Sequence, residues 1–162
     1  MNQASLRVDD EWFTPKHAWE DIAHLIPRDA VLWEAFSGNG QSAEYLRELG
    51  FEVVCDGADF FESDPKGDIV VTNPPFSKSK RVLQRLVELQ IPFLMILPAC
   101  KVTTQHFQRL FSTTARDLKL IVPRRRINFT KPNVLRSRAS FDCLYYAWKV
   151  PSMKNMPSLN FL

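Results

Sequence analysis

The tetrad Asn73-Pro74-Pro75-Phe76 closes the apolar run Asp68-Ile69-Val70-Val71-Thr72. Two consecutive prolines remove two backbone donors and fix φ twice. The residue before each proline is pushed out of the helical region. A strand that runs into this tetrad must stop. It leaves a stiff loop carrying carbonyl oxygens, one amide side chain and one ring. Such a loop can accept hydrogen bonds from an amino group and stack on a flat ring. The alternative is a strand-ending turn with a core phenylalanine.

Two stretches upstream carry ligand-type chemistry. Ala30-Val31-Leu32-Trp33-Glu34 reads as a short buried strand that runs into Ala35-Phe36-Ser37-Gly38-Asn39-Gly40-Gln41-Ser42. A helix from Ala43 to Leu49, closed by Gly50, follows. Gly38 and Gly40 let the backbone approach a ligand at the carboxyl edge of that strand. The third glycine of a dinucleotide fingerprint is absent, which argues against a pyrophosphate site. Phe51 to Asp56 is the next strand. Asp56 stands where α/β nucleoside binders grip ribose hydroxyls, although Asp56-Gly57 also fits an ordinary turn. Asp59 can accept from an adenine amino group with Phe60 covering the ring; Phe60 and Phe61 can equally be core.

The elements that must position these residues alternate between strand and helix. Thr14 fits an N-cap and Pro15 the first helical position. The helix runs to Leu25 or Ile26, with Ala18, Trp19, Ile22, Ala23 and Ile26 on one face. Trp12 and Phe13 either staple that helix or cover a ligand. Ser77 is a candidate N-cap for a helix from Ser79 to Gln90. A buried strand at 92–98, a helix at 104–111 and β-rich runs at 117–122 and 140–148 complete the pattern. Residues 1–11 and 151–162 read as flexible tails, the latter Pro-, Ser- and Asn-rich. The whole makes one α/β domain over 1–150 with a mostly parallel sheet. The last two long strands, joined without an obvious helix, are expected to pair antiparallel at the sheet edge.

Charge divides the chain. Residues 1–76 hold 5 Lys/Arg and 15 Asp/Glu, and residues 77–162 hold 16 and 3. A split of this size suits one face meeting a polyanion, or two solvated faces that neutralise each other. Lys78, Lys80 and Arg81 sit at a helix start, where cations oppose the macrodipole. Arg124, Arg125, Arg126 and Phe129 follow a strand that should end on the same edge as the Asn73 loop, and Arg136 and Arg138 come later. Lysines, arginines and an aromatic together make a rim for phosphates and a stacked base. Cys55, Cys100 and Cys143 read as reduced core thiols, and His17, His24 and His106 have no metal-like spacing, so no metal site is expected. No run reaches membrane-span length and the N-terminus lacks the apolar core of a signal peptide. The expectation is an intracellular protein, cytoplasmic or nuclear.

Taken in order, Thr14-Pro15, Glu34-Ala35-Phe36-Ser37-Gly38-Asn39-Gly40, Asp56, Asp59-Phe60 and Asn73-Pro74-Pro75-Phe76 resemble the S-adenosylmethionine-dependent amino-methyltransferases. The similarity is greatest to the adenine-specific nucleic-acid enzymes, over about residues 12–148. The resemblance implies a Rossmann-like class I methyltransferase fold, with helices on both faces of a seven-stranded sheet. It implies that Glu34, Phe36, Gly38 and Gly40 line the methionine side of S-adenosylmethionine. Asp56 would meet its ribose, Asp59 and Phe60 its adenine, and Thr14 and Pro15 would close over it. Asn73 and Pro74 would hold the target amino group, in a loop stiffened by Pro75, and Phe76 would stack on a DNA or RNA base. Asp56 and Asp59 are only three apart, so the strand that separates their equivalents in the family is missing or very short. No separate target-recognition domain is expected within these 162 residues. Target choice would then be weak, come from a partner protein, or follow the shape of the nucleic acid. The other readings are methylation of a guanine, cytosine or protein glutamine amino group, and a non-catalytic nucleic-acid-binding module of the same fold.

Overall fold

A computed structural model describes residues 12–131 and 141–162. The expected N-terminal tail, residues 1–11, lies outside the described residues, as do Arg136 and Arg138. Seven strands and four α-helices are present among those described: α1 Lys16–Ile22, β1 Val31–Trp33, α2 Gln41–Glu48, β2 Glu52–Val54, β3 Ile69–Thr72, α3 Ser79–Glu88, β4 Phe93–Pro98, α4 Gln105–Phe111, β5 Leu118–Val122, β6 Cys143–Trp148 and β7 Leu159–Phe161. The sheet order is β2-β1-β3-β4-β6-β5-β7. All neighbours are parallel except the two pairs made by β6.

Strand alternation sorts the core into two layers. Leu32, Ile69, Val71, Leu94, Ile96, Tyr145 and Ala147 pack on one face against Trp19 and Ile22 of α1 and Leu46 of α2. Trp33, Val70, Phe93, Met95, Leu97, Tyr146 and Trp148 pack on the other, against Leu83 and Leu86 of α3 and Phe107 and Phe111 of α4. A strand buried on both faces reads as a continuous apolar run, as β3 and β4 do. The polar tips of the buried aromatics are satisfied, as such tips usually are. Tyr145 Oη donates to Ala18 O (2.5 Å), Tyr146 Oη to Pro98 O (2.7 Å) and Trp19 Nε1 to Ser42 Oγ (3.1 Å).

Several expectations need correction. The antiparallel pairing of the last two long strands is present, but β6 lies inside the sheet. The outer position belongs to β7, drawn from the 151–162 stretch expected to be a flexible tail, which pairs parallel with β5. Pro151–Met153 forms a 3-10 turn with Met153 buried, and Leu162 N donates to Val122 O at 3.1 Å. The alternate residues of this edge strand face solvent on both sides, so no apolar pattern announced it. Residues between Asp56 and Asp59 form no strand, which leaves β2 as the opposite edge. The cap of α1 is Pro15, not Thr14, and that of α3 is Lys78, not Ser77; neither makes a side-chain capping bond. Thr14 is instead turned inward, 5% exposed. Cys143 is buried, which pushes its thiol up to about 12, whereas Cys100 is exposed and not a core thiol.

The junction that aligns β1 with β3 uses a glycine. Asp68 Oδ2 accepts from Val31 N and Asp68 N donates to Val31 O, both at 2.8 Å. A Cβ on Gly67 would lie 2.7 Å from that same Val31 oxygen. Gly67→Ala is therefore expected to destabilise the fold by roughly 1–3 kcal/mol, the usual cost of overpacking. Urea unfolding checks this: the midpoint should fall with m unchanged, and an unaltered midpoint would show that the strands are not in this close approach.

Candidate active site

The carboxyl ends of β1 and β3 lie side by side, and the loops leaving them wall a cavity of about 420 Å³. From the β1 side come Ala35, Phe36, Ser37 and Gly38; from the β3 side come Asn73, Pro74, Pro75, Phe76 and Lys78. Trp12 and Phe13 form a third wall, and Gly57 to Phe61 a fourth. A narrower recess of about 30 Å³ leads toward Thr14, Glu34, Gln41 and Ser42. This is the crevice at strand ends where open α/β sheets bind ligands.

The prolines do what their chemistry requires. β3 ends at Thr72, and the chain turns through Pro74 and Pro75 into a 3-10 turn, Phe76–Lys78, before α3. Asn73 Nδ2 donates to Thr14 Oγ1 at 3.0 Å. Asn73 Oδ1 is buried without a hydrogen-bond partner among the described residues. Two other buried polar atoms share that condition, His17 Nε2 and Arg85 Nε, but neither residue lines this cavity. An unmet buried acceptor costs about 1–3 kcal/mol, which a donor entering the cavity would offset. The Phe76 ring is held edge-on by Phe141 (4.9 Å) and Phe129 (6.1 Å).

Glu34, directly after β1, is 2% exposed. It accepts from the Thr72 hydroxyl, and its Oε1 accepts from Phe36 N at 3.1 Å. Burial pushes its carboxyl up to about 8, against the opposing pull of these two donors. The glycine turn is shaped by positive φ, +50° at Gly38 and +82° at Gly40, the latter being the N-cap of α2. Phe60 is 2% exposed yet lines the cavity, packed against Phe36 at 5.1 Å and Trp33 at 5.5 Å. Asp59 lines it too, with Oδ1 accepting from Phe61 N at 2.8 Å.

The other residues singled out from the sequence lie as follows. The Asp56 carboxylate turns away to the Lys66 ammonium and to Ala58 N (3.1 Å), which together hold it below the usual carboxylate range. It is Gly57 and Ala58 that reach the cavity. Pro15 and Gly40 support their helices without lining it. Lys78 stands at its lip. Lys80 and Arg81 border a groove of about 530 Å³ that shares Phe61 with the cavity, and the Arg81 guanidinium lies 4.2 Å from the Phe61 ring centre. Arg124, Arg125 and Arg126 are exposed but none lines the cavity: Arg125 pairs with Asp21 of α1 (3.2 Å) and Arg126 with Asp142 (3.1 Å). Phe129 is 1% exposed, so its ring buttresses Phe76 and is not a surface for stacking. Trp12 and Phe13 resolve as cavity walls. Phe13 is held by a two-way backbone bridge to Thr130, and Trp12 by Phe141 and the Lys131 ammonium (4.5 Å).

A nucleoside-bearing, cationic cofactor fits this donor set. Phe36, Phe60 and Phe61 offer aromatic wall, Asp59 a carboxylate at the rim, and Glu34 a buried carboxyl beside the glycine turn. Among the described residues no three His, Cys, Asp or Glu side chains come together as metal ligands. No helix there is long and apolar enough to cross a membrane.

The raised Glu34 carboxyl has a consequence for stability. Its ordinary value is 4.5 and its folded value about 8. Between those values the folded chain binds more protons than the unfolded one, so stability falls as pH rises through this window and levels off above it. Glu34→Gln keeps an oxygen for Thr72 and Phe36 and cannot ionise. It should remove that slope and gain stability over the wild type above pH 8, by on the order of a few kcal/mol at most. Denaturation midpoints of both chains from acid to mildly alkaline pH decide the matter; parallel curves would contradict a buried, proton-binding Glu34.

No protein-family profile matches the sequence, and no curated protein matches it. Solved structures do. A dimethyladenosine transferase from Plasmodium falciparum is similar with a TM-score of 0.52 and 12% identity, over 84% of this chain and 62% of that one. The 23S rRNA methyltransferase ErmE is similar with a TM-score of 0.50 and 17% identity, over 84% of this chain and 69% of that one. This chain therefore spans less than two thirds of the Plasmodium protein's length. What it shares with both is the Rossmann-like class I methyltransferase fold.

Proposed function

We propose that this chain is an S-adenosylmethionine-dependent methyltransferase acting on the exocyclic amino group of adenine in DNA or RNA. The observation that carries the reading is the buried, unmet Oδ1 of Asn73, fixed in orientation by the bond from its own Nδ2 to Thr14. The fold and the names of the two similar enzymes, one a dimethyladenosine transferase and one an rRNA methyltransferase, support it.

The residues that would hold the cofactor are Phe36, Gly38, Asp59 and Phe60, with Glu34 behind the glycine turn. When bound, S-adenosylmethionine supplies an electrophilic methyl group on a positively charged sulfur. The rest is done by the chain. Asn73 Oδ1 and the Pro74 carbonyl accept the two hydrogens of the amino group. Accepting them draws the nitrogen lone pair out of conjugation with the ring and stabilises the positive charge that develops there, an electrostatic effect. Phe76, braced by Phe129 and Phe141, stacks on the base, worth about 1–3 kcal/mol. Pro74 and Pro75 keep the acceptors aligned, because their rings fix φ at two consecutive positions, and alignment is itself a large part of such catalysis. A base inside a duplex must first be flipped out. Lys78 at the cavity lip, and Lys80 and Arg81 along the adjoining groove that shares Phe61, would meet its phosphates.

Asn73→Ala is expected to lower the methyl-transfer rate by roughly 10²–10³ or more, with S-adenosylmethionine affinity nearly unchanged. Single-turnover assay and calorimetry on the same preparation separate the two effects. Retained turnover would sink the role of Asn73, and loss of cofactor binding would place the residue in the cofactor site.

A further inference from the structure

We propose that a second cavity, at the opposite end of the sheet from Asn73, binds a phosphate group. It encloses about 230 Å³ where β5 begins and β6 ends, and Arg116, Lys119, Lys149 and Lys154 line it against the one carboxylate of Asp117. None of the four cations takes part in an ion pair among the described residues. Like charges lining one concave wall repel one another and focus their field on whatever enters.

Lys119 is the strongest sign of a ligand. It is 6% exposed, and its ammonium makes one hydrogen bond, to Arg116 O at 2.9 Å. An ammonium carries three donors, and its one carbonyl partner leaves two of them for a ligand or water. The Lys149 ammonium is positioned by Gln90 Oε1 (2.5 Å) and the Trp148 ring (4.7 Å), partners that leave its charge uncompensated. Arg116 and Lys154 are exposed at the rim.

The chemistry selects the ligand class. Four cationic side chains excess to one acid exclude a cation. Their donors outnumber what the two oxygens of a carboxylate accept, and suit a phosphate. The volume lies below the ~300–1,000 Å³ of pockets for larger organic ligands, so little beyond the phosphate would be enclosed. β4 alone separates the two ends of the sheet by roughly 20 Å, so this is not an extension of the Asn73 cavity. The proposal does not depend on the reading of that cavity.

The full chain, labelled with ¹⁵N, is titrated at constant ionic strength with inorganic pyrophosphate and, separately, with a short single-stranded oligonucleotide. The amides of Leu118, Lys119, Val150 and Met153 are followed, alongside a variant carrying Arg116→Gln and Lys154→Gln. Saturable shifts of these amides, weakened roughly tenfold in the variant, support the site. If pyrophosphate produces them, the source is a free phosphate; if only the oligonucleotide does, the source is a nucleic-acid backbone. No saturable shift with either probe, or equal affinity in the variant, overturns the proposal.

Discussion

The hydroxyl of Thr72 donating to the carboxyl of Glu34 joins the ends of two neighbouring strands, and the site on this edge of the sheet depends on it. Glu34 also accepts from Phe36 N, the first turn of the glycine loop. Thr72 is followed directly by Asn73. One buried carboxyl thus sets the spacing between the loop that would hold a cofactor and the loop that would hold a base. Burial keeps that carboxyl largely protonated near neutral pH, so its place between the strands costs less than a buried charge would.

Asn73 carries the complementary constraint. Its Nδ2 donates to Thr14, which lies between the Trp12-Phe13 wall and α1. The oxygen left over is an acceptor with nothing to accept from. Stability would favour removing it; a site built to receive a planar amino group would keep it. The aromatic wall works in the same sense. Phe76 is braced by Phe129 and Phe141, so the ring is ordered before anything stacks on it and loses little freedom when it does.

Much of this was legible in the sequence because it is local. The prolines dictated the end of β3, the apolar runs dictated the strands, and the glycines after Glu34 dictated the turn into α2. What was not legible depends on partners far away in the chain. Arg125 reads as a nucleic-acid contact, and its pair with Asp21, 104 residues earlier, is not visible in the sequence. Asp56 reads as a ribose ligand, and the pairing of its carboxylate with Lys66 is not visible in the sequence. Phe129 looks the same in the sequence whether it stacks on a base or buttresses Phe76. Thr14 looks like a helix cap, because threonine caps many helices; its bond to Asn73 spans 59 residues. The edge strand β7 lacks an apolar stripe because both of its faces are partly solvated, so proline and serine dominated its reading.

In the function proposed for this chain, the Asn73 loop presents an adenine amino group for methylation. A radiolabelled-methyl assay on pooled DNA, RNA and protein, followed by nucleoside analysis, addresses it directly. The expected product is label in nucleic acid that co-migrates with N(6)-methylated adenosine or deoxyadenosine. Label confined to protein, to another base, or to no pool would contradict it.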